Sequence, residues 1–211
     1  MPFYFSSMKG VLKMKQFSKL VNSVTFKRGN KIEVENYDID LKLIGVGKSA
    51  AVFHIKSTGL AIKVFHPLFH HLAVEEAEIY RSLEQIPYFP TLHESGSNYI
   101  VIDLIEGSTL YQCLNQGIEV SDQIIYEVDH ALMLARDKGL NPSDVHLKNI
   151  FITTSGNIMI VDVARFKQVQ YCPKWTDTKI AFFKYYQKGI IPKKMPTILL
   201  DTIGTLYRKC K

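Results

Sequence analysis

No stretch of this 211-residue sequence reaches the roughly 18 consecutive apolar residues that a membrane-spanning helix needs. Helical membrane proteins are thereby excluded, and no membrane partner is expected. The opening MPFYFSSMKGVLKMK lacks the apolar core of about 7–15 residues that marks a signal peptide, so export by that route is not expected. Cysteine is scarce: Cys113, Cys172 and Cys210 are odd in number, widely spaced and without a Cys-x-x-Cys pair. That excludes a disulfide framework or a zinc ribbon and points to reduced thiols in a cytoplasmic protein. Internal repeats, low-complexity tracts and long linkers are also missing. What is present is ordinary for a globular chain, 46% hydrophobic and 22% charged. At roughly 100–200 residues per domain, the length allows one domain or two small lobes sharing a cleft.

The net charge of +6 conceals a segregation. Residues 1–31 hold seven Lys/Arg and no Asp/Glu, and residues 166–211 hold ten Lys/Arg against Asp177 and Asp201. The two ends therefore carry +15 and the middle −9. Solvated helix faces account for such a pattern in most chains. The alternative is that the basic termini meet RNA or another acidic partner.

From about Lys31 the texture is that of short strands: KIEV, LKLIGVG, AAVFHIK and LAIKVFH, the last two joined by the turn Ser57-Thr58-Gly59. Residues 71–86 follow helical spacing, with Ala73, Ala77, Tyr80 and Leu83 on one side and Ile86-Pro87 as the stop. TLHESG and NYIVIDLI read as two more strands about a Ser95-Gly96-Ser97 turn. Helices lead the second half. Gly107-Ser108 is expected to open a short helix through Leu114, and Ser121 to cap one ending near Lys138, with Gly139 beyond it. IFIT and IMIVD form a hairpin about Ser155-Gly156-Asn157. Thr176 is expected to cap a helix reaching Gly189, and Pro196 to open a last one. A fainter helical pattern covers Leu12–Val24, while residues 1–14 read as a loose extension. The fold class is α+β.

Three groups of residues carry chemistry. Gly45-Val46-Gly47-Lys48-Ser49-Ala50-Ala51-Val52 lies between two strands, where two glycines let backbone N–H groups approach phosphates closely. By itself this is a tight turn. A strand follows it where a dinucleotide-binding fold needs a helix. Lys63 sits in an otherwise apolar strand, a costly place for a charge without a partner. Among Glu75, Glu76 and Glu78 of the next helix, Glu76 shares the face of Tyr80 and Leu83 that should meet the sheet. The densest signal is Asn141-Pro142-Ser143-Asp144-Val145-His146-Leu147-Lys148-Asn149, followed by a hairpin that ends Ile160-Val161-Asp162-Val163-Ala164. Singly, Asp144 is a turn former, Asn149 a hairpin start and Asp162 a strand-end cap. Their order, after Gly45, Lys63 and Glu76, gives them weight.

Over about residues 40–166 this order resembles the protein-kinase-like superfamily, in which the loop Asp and Asn stand five residues apart, as Asp144 and Asn149 do. The resemblance implies a protein-kinase-like bilobal fold. Residues 1–30 would be a basic N-terminal extension, 31–102 a small β-rich N-lobe with one helix, and 103–211 a short, mostly helical C-lobe. It also implies ATP and Mg2+. Gly45 and Gly47 would lie over the phosphates, with Val52 in the same nucleotide-binding set. Lys63 would hold the α/β-phosphates and pair with Glu76. Ile102 would back the adenine, whose edge would meet the backbone of Asp103–Ile105, and Ser108 or Glu106 would be placed for the ribose. Asp144 would orient or deprotonate the acceptor hydroxyl, while Asn149 and Asp162 would hold Mg2+.

The departures from that pattern matter as much. Ala50 replaces the third loop glycine. Pro142-Ser143 replaces the His-Arg pair, removing the cationic partner that an activation-loop phosphate would need. His146 stands where ordinary protein kinases carry Lys, as in aminoglycoside phosphotransferases. Asp162-Val163-Ala164 replaces Asp-Phe-Gly, no Ala-Pro-Glu follows, and the 49 residues after Asp162 are few for a peptide platform. In size the chain is similar to RIO-type kinases, the KEOPS-complex kinase and short bacterial serine/threonine kinases. The expected activity is ATP- and Mg2+-dependent phosphotransfer to a Ser/Thr hydroxyl of a protein, the enzyme itself included. The alternatives are a small-molecule acceptor, an ATPase switch on an RNA–protein complex, and a binding module that keeps the fold without the reaction. His66, His70 and His71 read as polar loop and helix-start residues. The aromatic run Phe182, Phe183, Tyr185, Tyr186 reads as core and helix surface.

Overall fold

LKLIGV alternates as a half-buried strand does, AAVFHI and LAIKVF are the nearly continuous apolar runs of strands covered on both faces, and a five-stranded antiparallel sheet results. The computed structural model describes residues 16–29 and 31–202. The chain divides into two units. One runs to Arg81 and resumes over Thr91–Leu104, and the other takes Ser82–Pro90 and everything from Ile105.

In the first unit, β1 (Thr25–Phe26) and β2 (Val34–Asn36) make a small antiparallel ribbon. The sheet is built from β3 (Leu41–Val46), β4 (Ala50–Ile55), β5 (Leu60–Phe65), β6 (Leu92–Ser95) and β7 (Tyr99–Asp103), in the order β3-β4-β5-β7-β6. Directly opposed residues share a face. Ile62 lies between Phe53 and Val101, and Val64 between Ala51 and Tyr99. With Leu41 and Ile55 they form a core that takes in Phe17, Leu20 and Val21 from helical residues 16–23 (α1). The described part of the expected basic extension is thus built into the sheet's core, because its apolar residues recur at helical spacing. The start of the expected Leu12–Val24 helix, and residues 1–14, lie outside the described residues.

The opposite face carries Val52, Lys63 and Ile100 in one row and Ala61 and Ile102 in the next. Helix α2 (His70–Ser82) buries Ala73, Glu76, Ala77, Ile79 and Tyr80. It stops four residues short of the expected Ile86. The chain turns through Gln85 at φ 73°, with Ile86 N–H donating to the Leu83 carbonyl at 3.0 Å. Pro87 disfavours helix at Ile86, so the turn comes ahead of it.

The second unit holds β8 (Gly107–Thr109), α3 (Leu110–Gln116), α4 (Asp122–Asp137), β9 (Ile150–Thr153), β10 (Ile158–Ile160), α5 (Lys174–Ala181) and helical residues 197–202 (α6). The expected helix start at Gly107 is corrected by a capping box at Thr109. Its hydroxyl accepts from Gln112 N–H at 3.1 Å, and the Gln112 side chain accepts from Thr109 N–H at 2.8 Å. Residues 107–109 are left to pair with β9, so the expected hairpin becomes a three-stranded sheet, β10-β9-β8. Helix α4 follows the expected bounds, with Gly139 at φ 79° just past its end. Helix α5 starts at Lys174 behind Pro173 rather than at Thr176, whose hydroxyl meets Tyr171 Oη at 3.1 Å instead. It runs on as a wider turn over Phe182–Tyr186, in which Phe182 and Tyr186 are buried and Tyr186 Oη accepts from Val120 N–H. Strands are antiparallel and helices segregated from them, so the class is α+β. Among the described residues no helix is long and apolar enough to cross a membrane.

Candidate active site

In the first unit, alternation puts Lys63 on the face of β5 opposite to the Ile62–Val64 core. Glu76 reaches it from the buried side of α2. The Lys63 Nζ donates to both Glu76 oxygens, at 2.9 and 2.7 Å, with the side chains 12% and 1% exposed. Of the three acids weighed from sequence, Glu75 and Glu78 are exposed and Glu76 is buried. Val52 and Ile102 share the Lys63 face by register.

Gly45 opposes Val52 at a bulge in the β3–β4 pairing, and Gly47 N–H closes the turn onto the Ala50 carbonyl at 2.8 Å. A side-chain carbon at Gly45 would meet no atom of the described residues within 4 Å, so packing among them does not require this glycine. At the end of β7, Asp103 N–H donates to the Thr91 carbonyl and Leu104 N–H to the Gly59 carbonyl. Ile105 N–H has no partner among the described residues. Burial pushes the Asp103 carboxyl up, but hydrogen bonds from His93 Nε2 (2.6 Å) and Thr91 N–H (2.8 Å) outweigh it and hold the group below its ordinary range.

In the second unit, the loop between α4 and β9 is clamped at both ends. Asn141 N–H donates to the Phe166 carbonyl, and its side chain to those of Gln168 and Gln170. Asn149 N–H donates to His146, and the Asn149 carbonyl accepts from Val161 N–H at 2.9 Å. That last bond brings Asn149 beside the residue that precedes Asp162. Asp144 stands at φ 61° and Asp162 at φ 60°. Among the described residues, only Ser57 and Gln85 are other non-glycines at positive φ, so half of these backbone outliers are the two acids singled out by sequence. Such conformations cost about 1 kcal/mol or more and persist where the surroundings enforce them.

Sequence spacing missed what meets Asp144. Its N–H donates to Cys172 Sγ at 3.4 Å, and its Oδ1 pairs with Lys174 Nζ from the first turn of α5. A gap of thirty residues and a place in a long basic stretch left Lys174 without a signal of its own. Burial pushes His146 below the usual imidazole range, and Lys174 acts in the same sense, outweighing Asp144 and Asp162. Ser143 is 1% exposed, with no partner for its hydroxyl among the described residues.

The charge segregation has an internal outlet. Lys174 pairs with Asp144, Lys179 with Asp129 (2.5 Å) and Lys193 with Glu119 (2.7 Å), while Lys148 pairs with Asp201 (3.0 Å). Trp175 Nε1 adds a second bond to Asp129 at 2.6 Å. The three histidines take the expected roles: His66 Nδ1 accepts from Leu68 N–H, and His70 and His71 open α2. No group of three or more His, Cys, Asp and Glu suited to a metal ion occurs among the described residues.

A scan against protein-family models finds no match. Over 193 residues, 90% of this chain and 90% of the other, the sequence is 41% identical to the Bacillus subtilis (strain 168) protein named "Putative serine/threonine-protein kinase YrzF". It is also 27% identical over 150 residues to the Lactococcus lactis subsp. lactis protein named "Probable serine/threonine-protein kinase PknB", covering 63% of this chain but 24% of that one. With 41% identity along nine-tenths of both chains, the protein belongs to the same family of kinase-like proteins as YrzF.

Proposed function

We propose that the protein is an ATP- and Mg2+-dependent phosphotransferase with a protein-kinase-like bilobal fold, acting on a Ser or Thr hydroxyl of a protein, itself included. The observation that carries this reading is the Lys63–Glu76 pair, in which a lysine of an apolar strand is held at both carboxylate oxygens by a buried helix residue. Lys63 would engage the α/β-phosphates. Gly45, with open space at its α-carbon, would let the backbone approach them. Val52 and Ile102, on the Lys63 face, would line the adenine, and the Ile105 N–H is the unengaged donor for its edge.

In the second unit the oxygens of Asn149 and Asp162 are hard donors of the kind that suits Mg2+, and the Asn149–Val161 bond holds the two near one another. Bound there, Mg2+ would neutralise charge on the phosphates. Asp144 would orient the acceptor hydroxyl. The acceptor oxygen bonds to the terminal phosphorus as the bond to the bridging oxygen breaks. The hydroxyl proton passes to Asp144 and ADP leaves with the electron pair. RNA recruitment by the basic C-terminal stretch draws less support, since Lys174, Lys179 and Lys193 are engaged with acids of the same chain.

The test pairs a melting curve with a transfer assay. At Mg–ATP about 100-fold above its dissociation constant, stabilisation of about 2.7 kcal/mol raises the melting temperature by roughly 5–10 °C. Labelled ATP should mark protein in the wild type and not in Asp162→Ala. Equal stabilisation with and without Mg2+, or equal labelling in both proteins, would defeat the proposal.

A further inference from the structure

Thirty residues beyond Asp144 the chain returns to it and touches it twice, through Cys172 Sγ on its N–H and Lys174 Nζ on its carboxylate. Lys174 opens α5, and that helix is fixed to α4 where Trp175 Nε1 and Lys179 Nζ meet the two carboxylate oxygens of Asp129. The ammonium thus reaches Asp144 from an anchored helix, and its side chain is only 16% exposed. Phosphoryl transfer spreads negative charge over the oxygens of the moving group, and catalysis rests on positive groups already fixed where that charge develops. The cation that meets the Asp144 carboxylate is therefore Lys174, held in place from outside the loop.

We infer that Lys174 is the acceptor-side cation of the phosphotransfer reaction: it pairs with Asp144 and, when Mg–ATP is bound, engages an oxygen of the terminal phosphoryl group. The inference rests on the function proposed above. Moving the ammonium to the phosphoryl group frees the Asp144 carboxylate for the acceptor hydroxyl, so one residue covers the acid at rest and the developing charge in the reaction. The competing role is a tether that merely ties α5 to the loop.

Calorimetric titration of wild type, Lys174→Gln and Lys174→Arg with Mg–ATP and with Mg–ADP separates the two. Gln keeps a hydrogen-bond donor for Asp144 but has no charge. A cation on the terminal phosphoryl group predicts that Lys174→Gln weakens Mg–ATP by about 10- to 100-fold. Mg–ADP, which lacks that group, should change by less than about twofold, and Lys174→Arg should recover most of the loss. Melting curves without nucleotide check that the variants are folded. Equal weakening of both nucleotides, or of neither, overturns the inference. If wild type and Asp162→Ala bind Mg–ATP alike, the functional proposal itself falls. Loss of binding in Asp162→Ala with Lys174→Gln unchanged overturns the Lys174 role alone.

Discussion

Replacing Lys63 by Met leaves the Glu76 carboxylate, 1% exposed, without the bonds at 2.9 and 2.7 Å that offset its burial. Breaking a buried ion pair from one side costs about 3–5 kcal/mol. Glu76→Leu should cost somewhat less, because Lys63 is 12% exposed and its stem can carry the amine toward water. The double variant Lys63→Met/Glu76→Leu removes both charges and fills the space with apolar atoms, which is often neutral or stabilising. Because the double variant stays near wild type, the coupling energy of the cycle should be about the sum of the two single losses, roughly 5–8 kcal/mol. With a urea slope of about 2–3 kcal/mol/M, Lys63→Met shifts the midpoint down by about 1–2 M while the double variant stays near wild type, followed by far-UV circular dichroism. Titration with Mg–ATP supplies the second axis: binding should be lost in all three. A double variant that is stable and still binds Mg–ATP like wild type would make the pair purely structural. A loss below about 1 kcal/mol in Lys63→Met would refute the burial argument itself.

Gly45 and Gly107 should behave oppositely. Gly45→Ala meets open space and removes a flexible residue from a strand, so it should raise stability by roughly 0.5–1 kcal/mol in denaturation while weakening Mg–ATP binding severalfold. Gly107→Ala places a carbon 2.2 Å from the Ile152 carbonyl oxygen at φ 155°, so it should cost about 2–4 kcal/mol and speed hydrogen exchange across β8–β9.

Much of the fold was legible because strand alternation and turn residues are local signals. The sheet strands, the α4 bounds and the Gly156 turn lie within a few residues of expectation. The errors were local too. Thr109-Leu110-Tyr111-Gln112 is a capping box within the sequence, and giving the helix start to Gly107-Ser108 overlooked it. Lys63 and Glu76 were pairable from sequence since each had a face: period two in a strand, period 3.6 in a helix. Lys174 was not, for no periodicity links a helix start to a loop thirty residues earlier.

The same distinction bears on how the loop's departures are read. Taken within 141–149, Pro142-Ser143 and His146 look like losses, and a charge-poor loop argues for a site that binds without reacting. Yet the loop is held from outside itself. Ser143 is buried at 1% exposure, and the positive charge that meets Asp144 comes from α5. Asp144 and Asp162 keep costly left-handed backbones nonetheless. Such backbones persist where the surroundings enforce them, and the cation that meets Asp144 lies outside the loop, so charges counted within 141–149 alone do not describe what surrounds this acid.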